Sequence, residues 1–117
     1  MLGPKKLPAS FFATPNGTEP VREWLKGLDE KDRRTIGRDI ATAEYGWPIG
    51  MPTCRAMGRG LYEIRSRVGT GQVARVIFFV SGQDMVLLHG FIKKSRKTPK
   101  PDLDLAARRM REYERHE

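Results

Sequence analysis

The sequence is poor in several residue types, and each shortage excludes a class of protein. Cys54 is the only cysteine in 117 residues, so an intramolecular disulfide is impossible and a four-cysteine zinc site is excluded. The only histidines are His89 and His116, and no metal-binding constellation is visible, so we expect neither a metal nor a cofactor. The longest apolar run, residues 76–80, is too short to cross a bilayer. Neither the glycine-rich ATPase loop nor the dinucleotide-binding fingerprint is present.

The length and the lone cysteine also limit the organisation and location of the protein. A chain of 117 residues and 13.3 kDa is the size of one domain, and we predict a single domain over residues 1–117. No apolar stretch follows residues 1–6, so we expect no secretory signal. The low cysteine content is typical of a reducing compartment, and we expect a cytoplasmic protein that does not associate with membranes.

Acidic residues are scarce in one part of the chain, and that imbalance is the first functional signal. The net charge is +8, yet residues 59–100 contain nine lysines and arginines and only two acids, Glu63 and Asp84. An excess of this kind predicts a polyanionic partner, with nucleic acid first. The alternative is a charged face that only keeps the protein soluble, although such faces normally mix both signs.

The periodicity of apolar residues predicts an α+β protein. Residues 5–14 are typical of a short edge strand, 19–28 of an amphipathic helix, and Asp29 begins a second helix that Gly46 ends. Residues 47–58 are rich in glycine and proline and are predicted to be loop. Three strands follow at 61–68, 73–80 and 85–92, joined by turns at 69–71 and 81–84. After a basic segment at 93–101, Asp102 is predicted to cap a last helix.

This order predicts a mostly antiparallel four-stranded sheet, with two N-terminal helices packed on one face and a C-terminal helix. A three-residue turn after Val68 would place Arg65 directly opposite Arg75 on the same face of the sheet. Like charges so placed are destabilising, which favours a ligand-binding role for them. A three-residue loop in the next hairpin would bring His89 opposite Ile77 on that face, and Lys93 follows by parity.

Each of these residues also has a structural interpretation. Arg75 is alternatively a core arginine paired with Glu63 or with a helix acid, and Glu63 is better explained as an ion-pair partner than as a general base. His89 is alternatively a core histidine satisfied by the backbone. The lysines and arginines that follow it are alternatively a solvated loop. A nucleophile pair of Cys54 with His89 has no support in the sequence.

Two stretches resemble a known family. Residues 87–99, LLHGFIKKSRKTP, are followed by a helical stretch that contains Ala106 and Arg109, and residues 61–65 and 74–78 fit the same pattern. Over residues 19–113 the chain resembles the phage-derived branch of the RelE/HigB toxin superfamily. The resemblance implies the small RelE-like fold and a type II toxin–antitoxin endoribonuclease.

The resemblance also implies a mechanism and partners. Such toxins enter the ribosomal A site and cut mRNA without a metal, because the ribose 2′-OH attacks the adjacent phosphate. The partner is a cognate helix-turn-helix antitoxin. The catalytic roles fall by position on Arg65 and Arg75 for the phosphate, on Lys93 or Lys94 for the leaving group or backbone, and on His89 for proton transfer. Basic residues around them are candidates for contacts to RNA or the ribosome: Arg59, Arg67, Arg96, Lys97 and Lys100.

Two other functions remain open on the sequence alone. A non-catalytic RNA-binding or ribosome-binding module needs only the basic surface. A toxin of the same fold that inhibits DNA gyrase is the other alternative, and the basic set that includes Arg65 and Arg75 argues against it.

Overall fold

The computed structural model describes residues 3–69, 71–94 and 96–116. Within them, no helix is long and apolar enough to span a membrane. The elements in chain order are β1 (Ala9–Phe11), α1 (Pro20–Lys26), α2 (Glu30–Gly46), β2 (Cys54–Gly58), β3 (Leu61–Val68), β4 (Gln72–Ser81), β5 (Asp84–Lys93) and α3 (Lys100–Arg115).

The helices α1 and α2 form where the sequence predicts them. Val21 is the buried residue of α1, and Ile36, Ile40 and Ala43 form the apolar part of the buried stripe of α2. The carboxylate of Asp29 accepts a hydrogen bond of 2.9 Å from the backbone N–H three residues later. This bond satisfies one of the donors that have no partner within the first turn of a helix.

The five strands form one mixed sheet in the order β1-β5-β4-β3-β2. The edge strand β1 pairs parallel to β5, and all other neighbours are antiparallel. The α+β class is therefore confirmed, whereas the prediction of four strands is wrong, because residues 54–58 form β2 instead of loop. Cys54 is the only fully buried residue of β2, so the strand has no apolar alternation to recognise and is held by backbone pairing to β3.

The β3–β4 hairpin has the predicted register. Val68 pairs with Gln72, and Arg65 lies opposite Arg75. Thr70, at the centre of the predicted turn, lies outside the described residues. The glycines on either side of it have positive φ angles of 52° and 70°, as a tight turn requires.

The β4–β5 hairpin reaches the predicted pairing by a different route. Ser81 pairs with Asp84, so the connection has two residues and not the predicted three. A β-bulge then inserts one extra residue, Leu88, into β5 and restores the pairing of His89 with Ile77. The shorter turn and the bulge cancel, which leaves His89 on the same face as Arg75.

The sheet lies between two layers of helices. α1 and α2 pack on one face, as predicted, against a core that includes Ile64, Val76 and Phe78. α3 packs on the opposite face, which we call the α3 face, where Ala106 and Ala107 contact the second core. Because α3 begins at Lys100, the prediction that Asp102 caps this helix is wrong. Asp102 lies in its first turn, and its side chain points to the sheet.

At Gly90, β5 lies close to Trp24 of α1, and this contact gives the first prediction. A Cβ atom at Gly90 would lie 2.3 Å from Cε3 of Trp24. Gly90→Ala should therefore lower the free energy of unfolding by about 1–3 kcal/mol, as overpacking does. In α2, Gly37 has open space around it, so Gly37→Ala should raise the free energy of unfolding by about 0.5–1 kcal/mol. Urea unfolding measures both, and a Gly90→Ala variant as stable as wild type would contradict this packing.

Candidate active site

The helix α3 covers only one end of its face of the sheet. There its apolar side chains pack against a core that includes Leu61, Ile77 and Phe79. Towards the other end, the same face carries polar side chains from three adjacent strands. We call them the polar cluster, and its members are Glu63 and Arg65 on β3, Arg75 on β4, and His89 and Lys93 on β5.

Glu63 is the centre of the polar cluster and has no exposed surface. Its Oε1 lies 3.8 Å from Nε of Arg65, and its Oε2 lies 3.9 Å from Nε of Arg75. The predicted juxtaposition of the two arginines is therefore real, but a carboxylate between them offsets their repulsion. Glu63 is the ion-pair partner that the sequence analysis favoured.

Arg75 is fully buried, which bears directly on its predicted role. Its Nη2 donates a hydrogen bond of 3.1 Å to the carbonyl oxygen of Arg96, and its guanidinium carbon lies 5.9 Å from the ring centroid of Phe91. Burial lowers the pKa of Arg75, and Glu63 opposes that shift. A phosphate could reach this guanidinium only if the chain around Arg96 moved away.

The chain between β5 and α3 acts as a cover over Glu63 and Arg75. The hydroxyl of Thr98 donates a hydrogen bond to Oε2 of Glu63, and the carbonyl of Arg96 accepts from Arg75. The basic side chains of this cover, including Lys94, Arg96 and Lys97, belong to exposed residues. The segment thus gives each of the two buried charges one hydrogen bond, while its lysine and arginine side chains belong to exposed residues.

Arg65 is the member of the arginine pair that reaches solvent, with 23% of its side chain exposed. Together with Arg67 it lines a groove of about 890 Å³ between α2, the 51–53 loop and the β3–β4 hairpin. Arg67, at the end of β3, is exposed. Arg65 is therefore accessible at the edge of the sheet beside α2, in a groove that Asp39 also lines.

His89 has a carboxylate partner and not the backbone partners of a core histidine. Its Nε2 lies 2.7 Å from Oδ1 of Asp102, and Nζ of Lys93 lies 3.4 Å from the other carboxylate oxygen. The imidazole also stacks on Phe91 with ring centroids 5.2 Å apart. Burial lowers the pKa of His89, and the hydrogen bond and the charge of Asp102 oppose that shift without reversing it.

The remaining predicted binding residues lie around this centre. Arg59, which has a positive φ of 58° in the β2–β3 turn, and Lys100, at the start of α3, both pair with Asp104, at 3.5 and 2.9 Å. Lys100 and Arg59 lower the pKa of Asp104. These exposed pairs leave both cations at the surface, where polyanion binding can compete with Asp104.

Two side chains at the site were missed by the sequence analysis. The sequence predicts Asp102 to be a helix cap and gives no indication of a role for Thr98. Neither has a local sequence signal, because each meets its partner only when the chain after β5 folds back over the sheet.

Cysteine and metal chemistry receive no support from the arrangement. Cys54 lies in the core on the face opposite His89, and burial raises the pKa of its thiol to about 11, so the two cannot form a nucleophile pair. Within the described residues, no group of three His, Cys, Asp or Glu side chains is placed to hold a metal ion.

The buried charges of Glu63 and Arg75 give a second prediction. Arg75→Ala should lower the free energy of unfolding by about 3–5 kcal/mol, because it removes one member of a buried ion pair. Glu63→Leu combined with Arg75→Met should recover most of that loss, since apolar replacement removes both buried charges. Urea unfolding of Arg75→Ala and of the double variant measures the loss and the recovery.

Arg67→Ala is the matched control, because Arg67 is an exposed arginine on the same sheet. It should change the free energy of unfolding by no more than about 0.5 kcal/mol. An Arg75→Ala protein that unfolds like wild type would show that the pair contributes little to stability.

Comparison with known proteins assigns the chain to a family. The family described as Phage derived protein Gp49-like (DUF891) matches residues 23–111. The matched stretch begins in α1 and ends in α3, so it contains β2 to β5 and every member of the polar cluster. No curated protein matches the chain significantly. Because the match spans well over half of the sequence, the chain belongs to the family of phage-derived Gp49-like proteins.

Proposed function

We propose that the chain is the toxin of a type II toxin–antitoxin pair and that it cleaves translated mRNA on the ribosome. The observation that carries the proposal is the polar cluster, which gathers arginine, lysine and imidazole groups from three adjacent strands on one face. Membership of the phage-derived Gp49-like family and the basic stretch at 59–100 support the same function. The protein would act in the cytoplasm, where its ribosomal target lies.

The reaction is an internal transfer at phosphorus. The ribose 2′-oxygen forms a bond to the adjacent phosphorus as the bond from phosphorus to the 5′-oxygen breaks. One proton leaves the 2′-OH and another reaches the departing 5′-oxygen, which yields a 2′,3′-cyclic phosphate and a 5′-OH. Negative charge builds on the non-bridging oxygens, and a fixed guanidinium stabilises it through two hydrogen bonds.

In the proposed reaction, each side chain of the polar cluster has a role that depends on its exposure to solvent. Arg65 is the phosphate ligand, since its side chain reaches solvent beside the groove. His89 transfers a proton, and Lys93 or Lys94 contacts the leaving group or the RNA backbone. Arg75, which the sequence analysis also assigned to the phosphate, acts here from beneath the surface by holding Glu63 and, through it, Arg65.

The mRNA lies in the ribosomal A site in this proposal, and a cognate helix-turn-helix antitoxin neutralises the toxin. The antitoxin must block the basic surface of the toxin even when antitoxin is scarce. We therefore expect the toxin–antitoxin complex to be tight. The antitoxin would cover the polar cluster with acidic or apolar side chains, or displace α3.

Induced expression in bacteria tests the function and gives the third prediction. Growth should stop, mapped mRNA 5′ ends should accumulate within translated codons, and co-expressed antitoxin should relieve the arrest. Arg65→Ala should lower the single-turnover cleavage rate on ribosome–mRNA complexes by about 10²–10³-fold, because it removes one charge-stabilising donor. Arg34→Ala is the control, since Arg34 is an exposed arginine of α2 paired with Glu30. Its cleavage rate should equal that of wild type.

A non-catalytic ribosome-binding module is the second candidate. The observation that favours it is the closed state of the polar cluster, where Glu63 and Arg75 have no exposed surface. Ribosome binding without new 5′ ends, in a strain that expresses the chain at high level, would establish the module and contradict the nuclease.

Salt dependence tests the electrostatic part of the proposal and is the fourth prediction. The logarithm of the affinity for ribosomes should fall linearly with the logarithm of the salt concentration. Replacing the exposed Lys97 and Lys100 by alanine should flatten the slope by about 0.7–0.9 for each RNA phosphate that these lysines neutralise, while cleavage persists. Lys31→Ala, on the exposed side of α2, should leave the slope unchanged. Affinity that does not respond to salt would contradict an electrostatic interface.

A further inference from the structure

Two carboxylates begin α3, and they have different surroundings. The side chain of Asp104 is 41% exposed and pairs with the exposed cations Lys100 and Arg59. The side chain of Asp102 is only 15% exposed, and its Oδ1 lies 2.7 Å from Nε2 of His89. A surface charge of the first helical turn would point to water, so the inward direction of Asp102 requires another explanation.

The contact fixes which nitrogen of His89 carries the proton in the neutral ring. An ionised carboxylate accepts hydrogen bonds and cannot donate one, so Nε2 must be the N–H donor to Oδ1. The lone pair of the neutral imidazole is then on Nδ1, which has no hydrogen-bond partner among the described residues. Stacking of the ring on Phe91 restrains it further, so that Nδ1 is presented in one direction.

The other groups around His89 oppose its protonation. Burial lowers its pKa most, and the positive charges of Arg109 on α3 and Lys93 on β5 act in the same direction. From β4, the residue opposite the imidazole is Ile77, which carries no charge. Asp102 is therefore the group that raises the pKa of His89, and its removal must lower that pKa further.

We propose that Asp102 is a positioning residue that holds His89 with Nε2 as donor and Nδ1 as the nitrogen that exchanges a proton with the RNA. The inference deepens the proposed nuclease function and rests on it. When Nδ1 takes the proton of the 2′-OH, the ring becomes an imidazolium whose new charge lies beside the Asp102 carboxylate. The same carboxylate thus orients the base and stabilises its protonated form.

Nuclear magnetic resonance tests the pairing directly, because the chain has only two histidines. The imidazole nitrogen shifts of wild-type protein should show His89 as the Nε2–H tautomer. Asp102→Asn should lower the pKa of His89, because it removes the charge that raises that pKa. Asp104→Asn is the matched control, and it should leave the titration of His89 unchanged.

Single-turnover cleavage across a range of pH tests the catalytic consequence. Asp102→Ala should lower the rate by about tenfold or more, yet by less than His89→Ala, for which the loss is on the order of 10²–10⁴-fold. In Asp102→Asn, the limb of the pH–rate profile that belongs to His89 should move to lower pH. Asp102→Glu should return that limb towards its wild-type position. A merely structural role of Asp102 would lower the melting temperature and the active fraction without moving the limb.

Three results would overturn the inference, and they separate it from the proposed function. If wild-type His89 is the Nδ1–H tautomer, the orientation is wrong, and this measurement needs no variant that might unfold. If wild type cleaves and the pH profile of Asp102→Asn coincides with it, Asp102 plays no part, while the nuclease function stands. If wild type does not cleave mRNA on ribosomes, the proposed function fails and the catalytic role of Asp102 fails with it, even where the tautomer is as expected.

Discussion

The burial of Glu63 and Arg75 within one face of the sheet is the constraint on which the rest of this structure depends. Charges without exposed surface are tolerated only when they are paired and hydrogen-bonded. A slip of one residue between β3 and β4 would put Glu63 and Arg75 on opposite faces of the sheet, with one of the two charges in the apolar core under α1 and α2. The pair therefore opposes incorrect registers, in addition to whatever it contributes to stability.

The same pair explains why the chain after β5 folds back over the sheet. Glu63 receives the hydroxyl of Thr98, and Arg75 donates to the carbonyl of Arg96. Two polar groups of this segment thus contact the buried pair, while its lysines and arginines are exposed. One basic segment thus covers the buried pair and carries exposed cations.

The α3 face combines two environments that chemistry on RNA would need. Its apolar end fixes α3 against the sheet, and the first turn of α3 carries Asp102 to His89. Its polar end offers Arg65 to solvent beside a groove. His89 lies at the boundary, where burial lowers its pKa and where Lys93 contacts the same carboxylate, Asp102. The proposed nuclease function depends on this placement of Arg65 and His89 by the fold.

The sequence by itself determined the α+β class, the two N-terminal helices and the opposition of Arg65 to Arg75. Apolar periodicity and turn residues act locally, so they can be read without a structure. The sequence could not show β2, because this strand buries only one of its side chains and is held by its pairing with β3. The bulge at Leu88, by contrast, came to light only in the structure, although the predicted pairing of His89 was correct.

Only the tertiary structure decided which candidate residues are accessible and what each one touches. Arg65 and Arg75 have the same chemistry and opposite positions in the same register, yet one reaches solvent and the other is closed under Arg96. Asp102 and Asp104 are neighbours on one helical turn, yet only Asp102 meets His89. The exposure of a side chain and its contact partners depend on how segments distant in sequence pack together. A local pattern of residues cannot predict such contacts.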